Sequence, residues 1–279
     1  MSLNCSIITP SYNMLNYLQL CHASIADQKE ISFEHIVIDG GSKDGTVEWL
    51  KEQKDIVWIS EKDHGMYDAI NKGLKLATGE ILAYINCDEQ YLRGTLNIVK
   101  DYFDKNPTVD IIFGDSLIVN NLGELISFRK GYTPRYAYII SSHLYLLSCS
   151  MFFRRRIIEK GIFFDTKLKD VGDAAFVLNI LKDRYIAKHV GKYLAVFTWT
   201  GKNMSTGVNA LKEKLELINS APTKIRLLTK IINVIRIIEK LFSGAYFNKG
   251  QLNYSIYVLD QKSERKNFSS IKLNYRWPK

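Results

Sequence analysis

The amino-acid sequence predicts an α/β fold built on a doubly wound, mostly parallel sheet. Strand-like runs such as "SIITP" (6–10), "HIVID" (35–39) and "EILAYIN" (80–86) are apolar throughout, with no polar alternation. Helix-like stretches of about ten to fifteen residues separate these runs. Continuous apolar strands that alternate with helices are typical of a parallel sheet covered on both faces.

The predicted elements follow one another in a regular order. The first strand leads into a helix that begins near Leu15, and the second leads through the turn "GGSKDG" into the helix "TVEWLKEQ" (46–53). The third strand is "IVWIS" (56–60), followed by a helix that begins near Met66. After "EILAYIN" and a further helix, "VDIIFGD" (109–115) is the next strand. In such sheets ligands bind outside the carboxyl ends of the strands.

The composition is typical of a globular protein with a substantial core. The chain has 279 residues, 46% hydrophobic and 24% charged, enough for one large domain and a smaller appendage. Its four cysteines lie far apart, and no signal segment precedes the first strand. These features predict a cytoplasmic protein with free thiols. The uncharged stretch 136–153 contains four serines and a histidine, so we expect it to be core rather than a membrane span.

Acidic residues follow the predicted strands one after another. Asp39 ends the second strand and Asp63 lies just past the third. Asp88 and Glu89 end the fourth, and Asp115 ends the next. Carboxylates gathered at one sheet edge would repel one another, and a divalent cation or a ligand rich in N–H and O–H donors would remove that conflict. Oxygen ligands suit Mg²⁺ or Mn²⁺, so a nucleotide diphosphate with its metal is expected here. The structural alternative, for any one of these acids, is an ordinary turn or cap residue.

Several longer motifs make the chain resemble the inverting glycosyltransferases of family 2, which have the GT-A fold. "SIITPSYN", "VIDGGSKDGT", "EKDHGMYDAINKGLKLATGEILAYINCDE" and "GIFFDTKLKDVGDAAF" occur in that family's order and approximate spacing. The resemblance covers about residues 4–200. It implies a nucleotide-diphosphate-sugar donor, expected to be UDP-linked, and a single displacement with inversion at the transferred sugar.

The resemblance gives donor-binding roles to residues of the first loops. In "TPSYN", Pro10 and Tyr12 are expected to shape the wall of the nucleotide site. Asp39 is expected to accept hydrogen bonds from the nucleobase or ribose, with Asp63 as its partner in base recognition. His64 is a further candidate for contact with the donor.

The segment "NCD" stands where the family has its D-x-D motif. Asp88 is expected to coordinate the Mn²⁺ or Mg²⁺ ion that bridges the two donor phosphates. Asn86 stands where many members have the first Asp. Its amide can ligate the metal or hydrogen-bond the ribose, but it adds no negative charge, so weaker metal affinity is expected. Cys87 is expected to pack into the sheet.

Asp173, in "VGDAAF", aligns with the family's catalytic base. A carboxylate suits this role because the acceptor hydroxyl loses its proton as the new bond forms. The structural alternative for Asp173 is the N-cap of the helix that continues "AAFVLNILK". Asp170 is the second candidate for the base.

The sequence departs from the family just before "MFFRRR". Many relatives carry a His-Gln pair there, whereas this chain has Ser148 and Cys149. An acceptor or a leaving phosphate that depends on that pair would be held differently here. The three arginines 154–156 could bind phosphate, but a solvated basic helix start is the expected structure.

The C-terminal part of the chain is basic. The formal net charge is +9, and residues 225–242 read as a helix, almost wholly apolar apart from one polar stripe. The stripe consists of Arg226, Thr229, Lys230, Asn233, Arg236 and Lys240. Such a helix would lie on an anionic membrane surface or dock its apolar face on the catalytic domain. No nucleic-acid-binding motif accompanies it, so nucleic acid is not an expected partner.

We therefore predict two parts. Residues 1–205 form a GT-A catalytic domain, with nucleotide-sugar binding in about 1–115 and acceptor binding and catalysis in about 116–205. Residues 206–279 form a basic, helical C-terminal extension. The expected location is the cytoplasm, peripheral on the inner face of the cell membrane, and the oligomeric state is left open.

The predicted function is metal-assisted transfer of a hexosyl or N-acetylhexosaminyl group, as in bacterial polysaccharide biosynthesis. The donor is a nucleotide sugar and the acceptor is a saccharide or a lipid-linked saccharide. The alternative is a non-catalytic nucleotide-sugar-binding scaffold, which Asn86 and the missing His-Gln pair would suit. A nucleotidyltransferase is disfavoured because "TPSYN" has no glycine-rich basic loop. A dinucleotide dehydrogenase is disfavoured because "DGGSKDG" is not G-x-G-x-x-G.

Overall fold

The structure, a computed structural model, describes residues 4–201, 208–248, 250–271 and 274–278. The strands are β1 (Cys5–Ser11), β2 (Phe33–Asp39), β3 (Ile56–Ser60), β4 (Ile81–Tyr84), β5 (Glu89–Tyr91), β6 (Ile111–Val119), β7 (Leu125–Arg129), β8 (Met151–Arg154), β9 (Ala187–Thr198), β10 (Leu252–Val258) and β11 (Gln261–Ser270). The helices are α1 (Leu15–Ala26), α2 (Thr46–Glu52), α3 (Met66–Leu76), α4 (Thr95–Lys105), α5 (Tyr136–Ile140), α6 (Arg156–Glu159), α7 (Gly172–Lys182), α8 (Val208–Asn219) and α9 (Thr223–Phe242).

Strands β1 to β9 form one mixed sheet. Eight of them follow the order β3-β2-β1-β4-β8-β6-β9-β5, and β7 pairs with β6. β1 is parallel to β2 and β4, and β2 is parallel to β3, so these four strands end at the same edge. β8 is antiparallel to its neighbours β4 and β6, whereas β6 and β9 are parallel. The α/β prediction is confirmed. The parallel strands β1 to β4 form the part of the sheet after whose strands the acidic candidate residues were predicted.

The sheet is covered on both faces, which explains the absence of polar alternation. In β1, Ile8 packs into one core with Leu82 and Tyr84 of the β4 region. The neighbouring Ile7 packs into the core on the other face, where Ala83 also lies. Burying both faces of a strand removes the reason for any polar residue along it.

The β6 strand is longer than the sequence predicts, and this changes the place of Asp115. The residue lies inside the strand, where its Oδ1 accepts a hydrogen bond from the Gly131 N–H (2.8 Å) and lies 2.7 Å from Nε2 of His189. The prediction that Asp115 joins the acidic edge was therefore wrong, because the strand continues to Val119.

Of the three arginines of "MFFRRR", Arg156 is the exposed first residue of α6, as expected of a solvated helix start, whereas Arg154 and Arg155 are partly buried. Arg154 donates to carbonyl oxygens at the end of α4, including that of Phe103 (2.8 Å), and Arg155 donates to those of Ala77 and Gly79 just after α3. The Nε of Arg156 pairs with the Asp110 carboxylate at 2.7 Å. These side chains supply donors to carbonyls that the helix ends leave unsatisfied.

The C-terminal extension is only partly helical. After α8 and α9, β10 and β11 form an antiparallel hairpin, which the sequence analysis did not predict. Two sets of contacts hold the hairpin against β5 and α1. The Gln90 side chain makes two 2.9 Å hydrogen bonds with the backbone of Tyr257. The buried Arg265 guanidinium donates to both carboxylate oxygens of Asp27, just after α1. The predicted boundary between residues 205 and 206 lies outside the described residues.

Helix α9 packs by its polar side on the segment around α5, at Tyr132, Arg135 and Tyr138. The Nη1 of Arg236 donates to the Tyr132 hydroxyl (3.5 Å). Glu239 accepts hydrogen bonds from Arg135 (2.9 Å) and from the Tyr138 hydroxyl (2.6 Å). These contacts are made by the side of the helix that the sequence analysis assigned to solvent or lipid headgroups.

The apolar side of α9 is correspondingly exposed. Only Ile225 and Ile232 pack, partly, against the core. The other apolar residues of the helix are 48–86% exposed: Leu227, Leu228, Ile231, Val234, Ile235, Ile237, Ile238, Leu241 and Phe242. The alternative that the apolar face docks on the catalytic domain was therefore wrong. None of the helices in the described part of the chain has the length and apolarity that crossing a bilayer requires.

Candidate functional site

An open cleft of about 910 Å³ lies at the edge where the parallel strands end. The loops after β1, β3 and β4, the start of α7 and the end of β9 contribute to its walls. The predicted site residues that line it are Pro10, Tyr12, Asp63, Asn86, Asp88 and Asp173. Asp39 does not line it, and the exposed His64 does not either.

Tyr12 and Asp63 lie together at one end of the cleft. A Cβ atom on Gly40 would be 2.8 Å from Oδ2 of Asp63 and 3.3 Å from the Tyr12 ring, so the glycine leaves room for both side chains. Oδ1 of Asp63 accepts a hydrogen bond from the Gly65 N–H (2.9 Å). The Tyr12 side chain is 64% exposed and free to contact a ligand. An aromatic ring beside a carboxylate can bind the face and an N–H group of a nucleobase.

Asp39 is fully buried beneath this end of the cleft. Its Oδ2 accepts hydrogen bonds from the N–H groups of Gly41 (3.1 Å) and Ser42 (2.9 Å) and from the Ser60 hydroxyl (2.6 Å). Its Oδ1 accepts one from the Ser42 hydroxyl. The carboxylate thus shapes the loop after β2, and its direct contact with a donor stays a prediction.

Asp88 and Glu89 lie on the floor of the cleft after β4. Oε2 of buried Glu89 accepts a hydrogen bond from the backbone N–H of Asn86 (2.8 Å), and the Asn86 side chain also bonds to it. Burial, with the neighbouring Asp88 charge as a second cause, raises the pKa of Glu89 to about 8. Burial raises the pKa of Asp88 to about 6. Burial therefore opposes ionisation of both carboxylates, and a cation bound beside them would favour their charged forms.

Asp173 lies in the first turn of α7. Its Oδ1 accepts a hydrogen bond from the Ala174 N–H (2.8 Å), and its own N–H donates to the Tyr67 hydroxyl (3.2 Å). The N-cap of α7 is Val171, and no side chain caps this helix, so the alternative N-cap role of Asp173 was wrong. Burial raises the pKa of Asp173 to about 6. A carboxylate whose pKa lies just below neutral pH is suited to general-base catalysis.

Aromatic packing fixes Tyr67 beside Asp173. The Tyr67 ring stacks on Phe164 with a centroid distance of 5.6 Å, and Phe164 stacks on Phe176 at 4.0 Å. A Cβ atom on Gly172 would lie 2.5 Å from the Tyr67 ring. The helix can therefore begin against this ring only because residue 172 is glycine.

The loop before α7 is held by α8, through a residue that the sequence analysis missed. Glu213, buried in α8, accepts hydrogen bonds from the backbone N–H groups of Lys169 (2.9 Å), Asp170 (2.9 Å) and Val171 (3.2 Å). Burial alone would raise the pKa of Glu213, but these N–H groups outweigh it and lower the pKa. Asn209 of α8 donates to the Asp170 carboxylate (2.6 Å). The second candidate base is thus engaged by the extension.

Ser148 and Cys149, which replace the His-Gln pair of many relatives, begin a short 3-10 helix, Ser148–Ser150. Ser148 lines the cleft and hydrogen-bonds the side chain of Tyr84. Cys149 is buried, with its sulfur 3.6 Å from the Ser116 hydroxyl. Cys87 is buried as predicted.

Another wall of the cleft comes from distant parts of the chain. Phe197 and Thr200 lie at the end of β9, Leu259 in the turn of the C-terminal hairpin, and Trp277 near the C-terminus. The rings of Trp277 and Phe197 lie 5.8 Å apart. No local sequence pattern marks these residues, and Leu259 and Trp277 reach the cleft through the docking of the C-terminal extension.

The protein groups near Asp88 fit a cation that binds together with a phosphate ligand. Within the described ranges, no cluster of three His, Cys, Asp or Glu side chains is arranged to hold a metal ion. Asp88 and the Asn86 amide offer oxygen ligands at the cleft, and the remaining positions of Mg²⁺ or Mn²⁺ would be filled by phosphate oxygens and water, as is usual for Mg²⁺.

The match to a family model settles the class of protein. Residues 6–163 match the model described as "Glycosyl transferase family 2", which is more than half of the chain. The chain belongs to glycosyltransferase family 2. The expectation of a glycosyltransferase is thereby confirmed, and the cleft of this family 2 glycosyltransferase is its candidate active site.

Known relatives of this family 2 glycosyltransferase match over part of their length. A PGL/p-HBAD biosynthesis glycosyltransferase of Mycobacterium bovis is 34% identical over 121 residues, which is 40% of this chain and 46% of the relative. The poly(ribitol-phosphate) beta-N-acetylglucosaminyltransferase TarS of Staphylococcus aureus is 24% identical over 210 residues, 68% of this chain and 36% of TarS. The chain thus spans about half of the first relative and less of the second.

Solved structures of other glycosyltransferases share the fold. TarS residues 1–349 in complex with UDP-GlcNAc has a TM-score of 0.62 at 20% identity, covering 86% of this chain and 73% of that chain. The mannosyltransferase PcManGT of Pyrobaculum calidifontis, in complex with GDP-Man and Mn²⁺, has a TM-score of 0.56 at 18% identity, covering 88% and 76%. These likenesses confirm the GT-A fold.

Proposed function

We propose that this family 2 glycosyltransferase moves a hexosyl or N-acetylhexosaminyl group from a UDP-sugar to a saccharide or lipid-linked saccharide, with inversion. The observation that carries the proposal is that Asp63, Asp88 and Asp173 line one cleft. Each follows a different strand or begins a helix, yet all three carboxylates converge on the same space. A nucleotide sugar with its cation would occupy that space.

The donor would lie across the cleft from Tyr12 to Asp88. Tyr12, Pro10 and Asp63 would hold the uracil end, with Asp39 supporting the loop beneath. Asn86 and Asp88 would hold Mn²⁺ or Mg²⁺ against the diphosphate, where the cation supplies charge stabilisation for the leaving group. The UDP and UDP-GlcNAc complexes of TarS, a protein of the same fold, support this choice of donor.

Asp173 would be the catalytic base. Its raised pKa allows it to take the proton of the acceptor hydroxyl as that oxygen attacks the anomeric carbon. Tyr67, bonded to the Asp173 N–H, and Glu213, bonded to the preceding loop, would fix the position of the carboxylate. Attack from the side opposite the diphosphate inverts the anomeric centre.

Release of UDP from UDP-sugars in the presence of Mn²⁺ tests the proposed reaction. We expect one UDP-sugar to be turned over, with transfer when a saccharide acceptor is present. Binding of the nucleotide sugar without any release of UDP would favour the scaffold alternative. A product of retained anomeric configuration would contradict the inverting mechanism.

We also propose that the enzyme works peripherally at the cytoplasmic face of an anionic membrane, through α9. Nine apolar residues of α9 are exposed. So large a set of exposed apolar side chains on one helix is typical of an interaction surface rather than of the ordinary surface of a monomer. Lys224, Arg226 and Lys230 are exposed on the same helix, and its single acid, Glu239, is paired with Arg135. Apolar side chains flanked by cations match the acyl boundary and headgroups of an anionic bilayer.

Flotation with liposomes tests the membrane proposal. The chain is expected to float with vesicles that contain anionic lipid, and the double variant Leu227→Asp/Ile231→Asp is expected not to. Leu122→Asp is the matched control, since Leu122 is 67% exposed on the β6–β7 turn, away from α9. A dimer in solution that does not bind liposomes would instead assign the face to a second copy of the chain.

A further inference from the structure

Three basic side chains are gathered where α9 faces the cleft wall. We refer to Arg129, Arg236 and Lys240 as the cation cluster. Arg129 is the last residue of β7, whereas Arg236 and Lys240 lie on the side of α9 that faces the catalytic domain. All three side chains are partly buried. The proposed transfer reaction gives none of them a role.

Aromatic rings tie the cation cluster into one region. The Nζ of Lys240 lies 4.3 Å from the centroid of the Tyr246 ring, and Tyr246 contacts Tyr275 edge to face at 5.2 Å. The Nη1 of Arg129 donates to the carbonyl oxygen of Tyr275 (3.4 Å). A continuous path of contacts therefore joins β7, the C-terminal segment and α9.

The cation cluster has no acidic partner among the residues that the structure describes. In the described part of the chain none of its three members forms an ion pair, and Glu239, the one acid of α9, is bonded to Arg135 and Tyr138. Burial, with the charges of Arg129 and Arg236 as further causes, lowers the pKa of Lys240 to about 8. An anion bound among the three would relieve this repulsion.

The cation cluster borders both the cleft and the exposed helix face. The Arg129 guanidinium lies 5.2 Å from the centroid of the Trp277 ring, and Trp277 lines the cleft. On the other side, Arg236 and Lys240 belong to the helix whose apolar residues are exposed. An anion bound by the cation cluster would lie between the exposed apolar face of α9 and the cleft.

We propose that Arg129, Arg236 and Lys240 bind the phosphate or diphosphate group of the acceptor. The acceptor is then a saccharide on a phosphate-bearing lipid carrier, with the lipid directed to the α9 face and the saccharide passing Trp277 into the cleft. Guanidinium groups bind phosphate oxygens through paired, charge-assisted hydrogen bonds, and an ammonium group adds a point charge. The identity of the anion as part of an acceptor rests on the proposed transferase function.

Binding of diphosphate probes in the presence of EDTA tests the site. The probes are inorganic pyrophosphate, geranyl diphosphate and the uncharged geraniol, titrated by calorimetry into the full chain. We expect both diphosphates to bind and geraniol not to. In the double variant Arg236→Gln/Lys240→Gln the diphosphates should bind roughly tenfold to a hundredfold more weakly, from the loss of two charge-assisted contacts.

The matched control is Arg226→Gln/Lys230→Gln, which removes two exposed cations from the same helix and should change these affinities by no more than about twofold. Equal affinity in the wild type and in Arg236→Gln/Lys240→Gln would overturn the site. Binding of pyrophosphate but not of geranyl diphosphate would overturn the assignment to a lipid carrier. Retention of UDP binding with Mn²⁺ by Arg236→Gln/Lys240→Gln shows that this variant is folded. Absence of UDP binding in the wild type would count against the transferase proposal rather than against the phosphate site.

Discussion

The cleft and the cation cluster are two regions of opposite charge that share one wall. The cleft gathers Asp88 and Asp173, whose pKa values burial raises to about 6, whereas the cation cluster gathers Arg129, Arg236 and Lys240, with the pKa of Lys240 lowered to about 8. Burial destabilises the ionised forms of Asp88 and Asp173, and burial together with like charge destabilises the ionised form of Lys240. This comparison supports the two proposals, that the cleft binds a cation with a nucleotide and that the cation cluster binds a phosphate.

The two regions differ in whether strand topology predicts their residues. Asp63 and Asp88 follow β3 and β4, so the order of the parallel strands brings them to one edge, whereas Asp173, far from both in sequence, was indicated by the family motif. The cations come from β7 and from α9, about a hundred residues later in the chain. The first region was therefore accessible to sequence analysis, and the second was not.

The largest expected effect is that of Asp173→Asn on the acidic side. Loss of the general base should lower kcat by about 10²–10⁴-fold while UDP binding stays unchanged, because the base contributes to the chemical step alone. Steady-state kinetics with the identified UDP-sugar give the measurement. Asp170→Asn is the matched control three residues away, and a greater loss in that variant would move the catalytic role to Asp170.

A smaller effect is expected from Glu213, which links the extension to the acidic cleft. In Glu213→Ala the loop 169–171 loses its acceptor, and kcat should fall by about tenfold to a hundredfold through misplacement of Asp173, with the donor KM unchanged. Glu213→Gln, which keeps an acceptor oxygen, should recover part of the rate. Glu216→Gln on the next turn of α8 is the control. A uniform rise in donor KM, or no rescue by Gln, would mean that Glu213 only supports the fold.

The smallest expected effect is on stability and depends on pH. Since the folded pKa of Asp88 is raised to about 6 from 3.8, the stability linked to its protonated form is complete below about pH 4 and is lost as the pH rises through about 6. Asp88→Asn should therefore raise the free energy of unfolding by on the order of 1–2 kcal/mol at pH 8, allowing for partial exposure, and have little effect at pH 4.

Urea unfolding at both pH values, without metal or nucleotide, measures this difference. Asp101→Asn is the control, since its side chain is 70% exposed on α4. A destabilised Asp88→Asn protein at pH 8 would show that Asp88 serves the fold rather than a ligand.

Much of the fold and part of the site were predictable from the sequence. Continuous apolar runs identified β1, β2 and β4 because both faces of these strands are largely buried, and they also identified the edge strand β3, where Val57 is 49% exposed. The acids after these strands could be placed from topology. The length of β6 was missed because a buried Asp115, bonded to His189, resembles the end of a strand. Of the hairpin after α9, β10 ("LNYSIYV") begins with the alternation of a half-buried strand and was overlooked, whereas β11 ("QKSERKNFSS") is almost wholly polar and lacks that pattern.

Orientation was the other property that the sequence pattern could not supply. The stripe of α9 predicted an amphipathic helix, but a stripe does not say which side contacts the protein. Arg236 and Glu239 find hydrogen-bond partners on the catalytic domain, and these contacts leave the apolar side outward. Such tertiary partners are separated from α9 by about a hundred residues, beyond the reach of local periodicity.

The central claim is that Asp88 and its neighbours hold a cation together with a nucleotide sugar, and thermal unfolding tests it most directly. A ligand that binds only the folded state raises the Tm. We expect UDP-GlcNAc or another UDP-sugar with Mn²⁺ to raise the Tm more than either alone, and Asp88→Asn to abolish the increment that Mn²⁺ adds. No shift with any nucleotide sugar and Mn²⁺, or an equal Mn²⁺ increment in Asp88→Asn, would contradict the account.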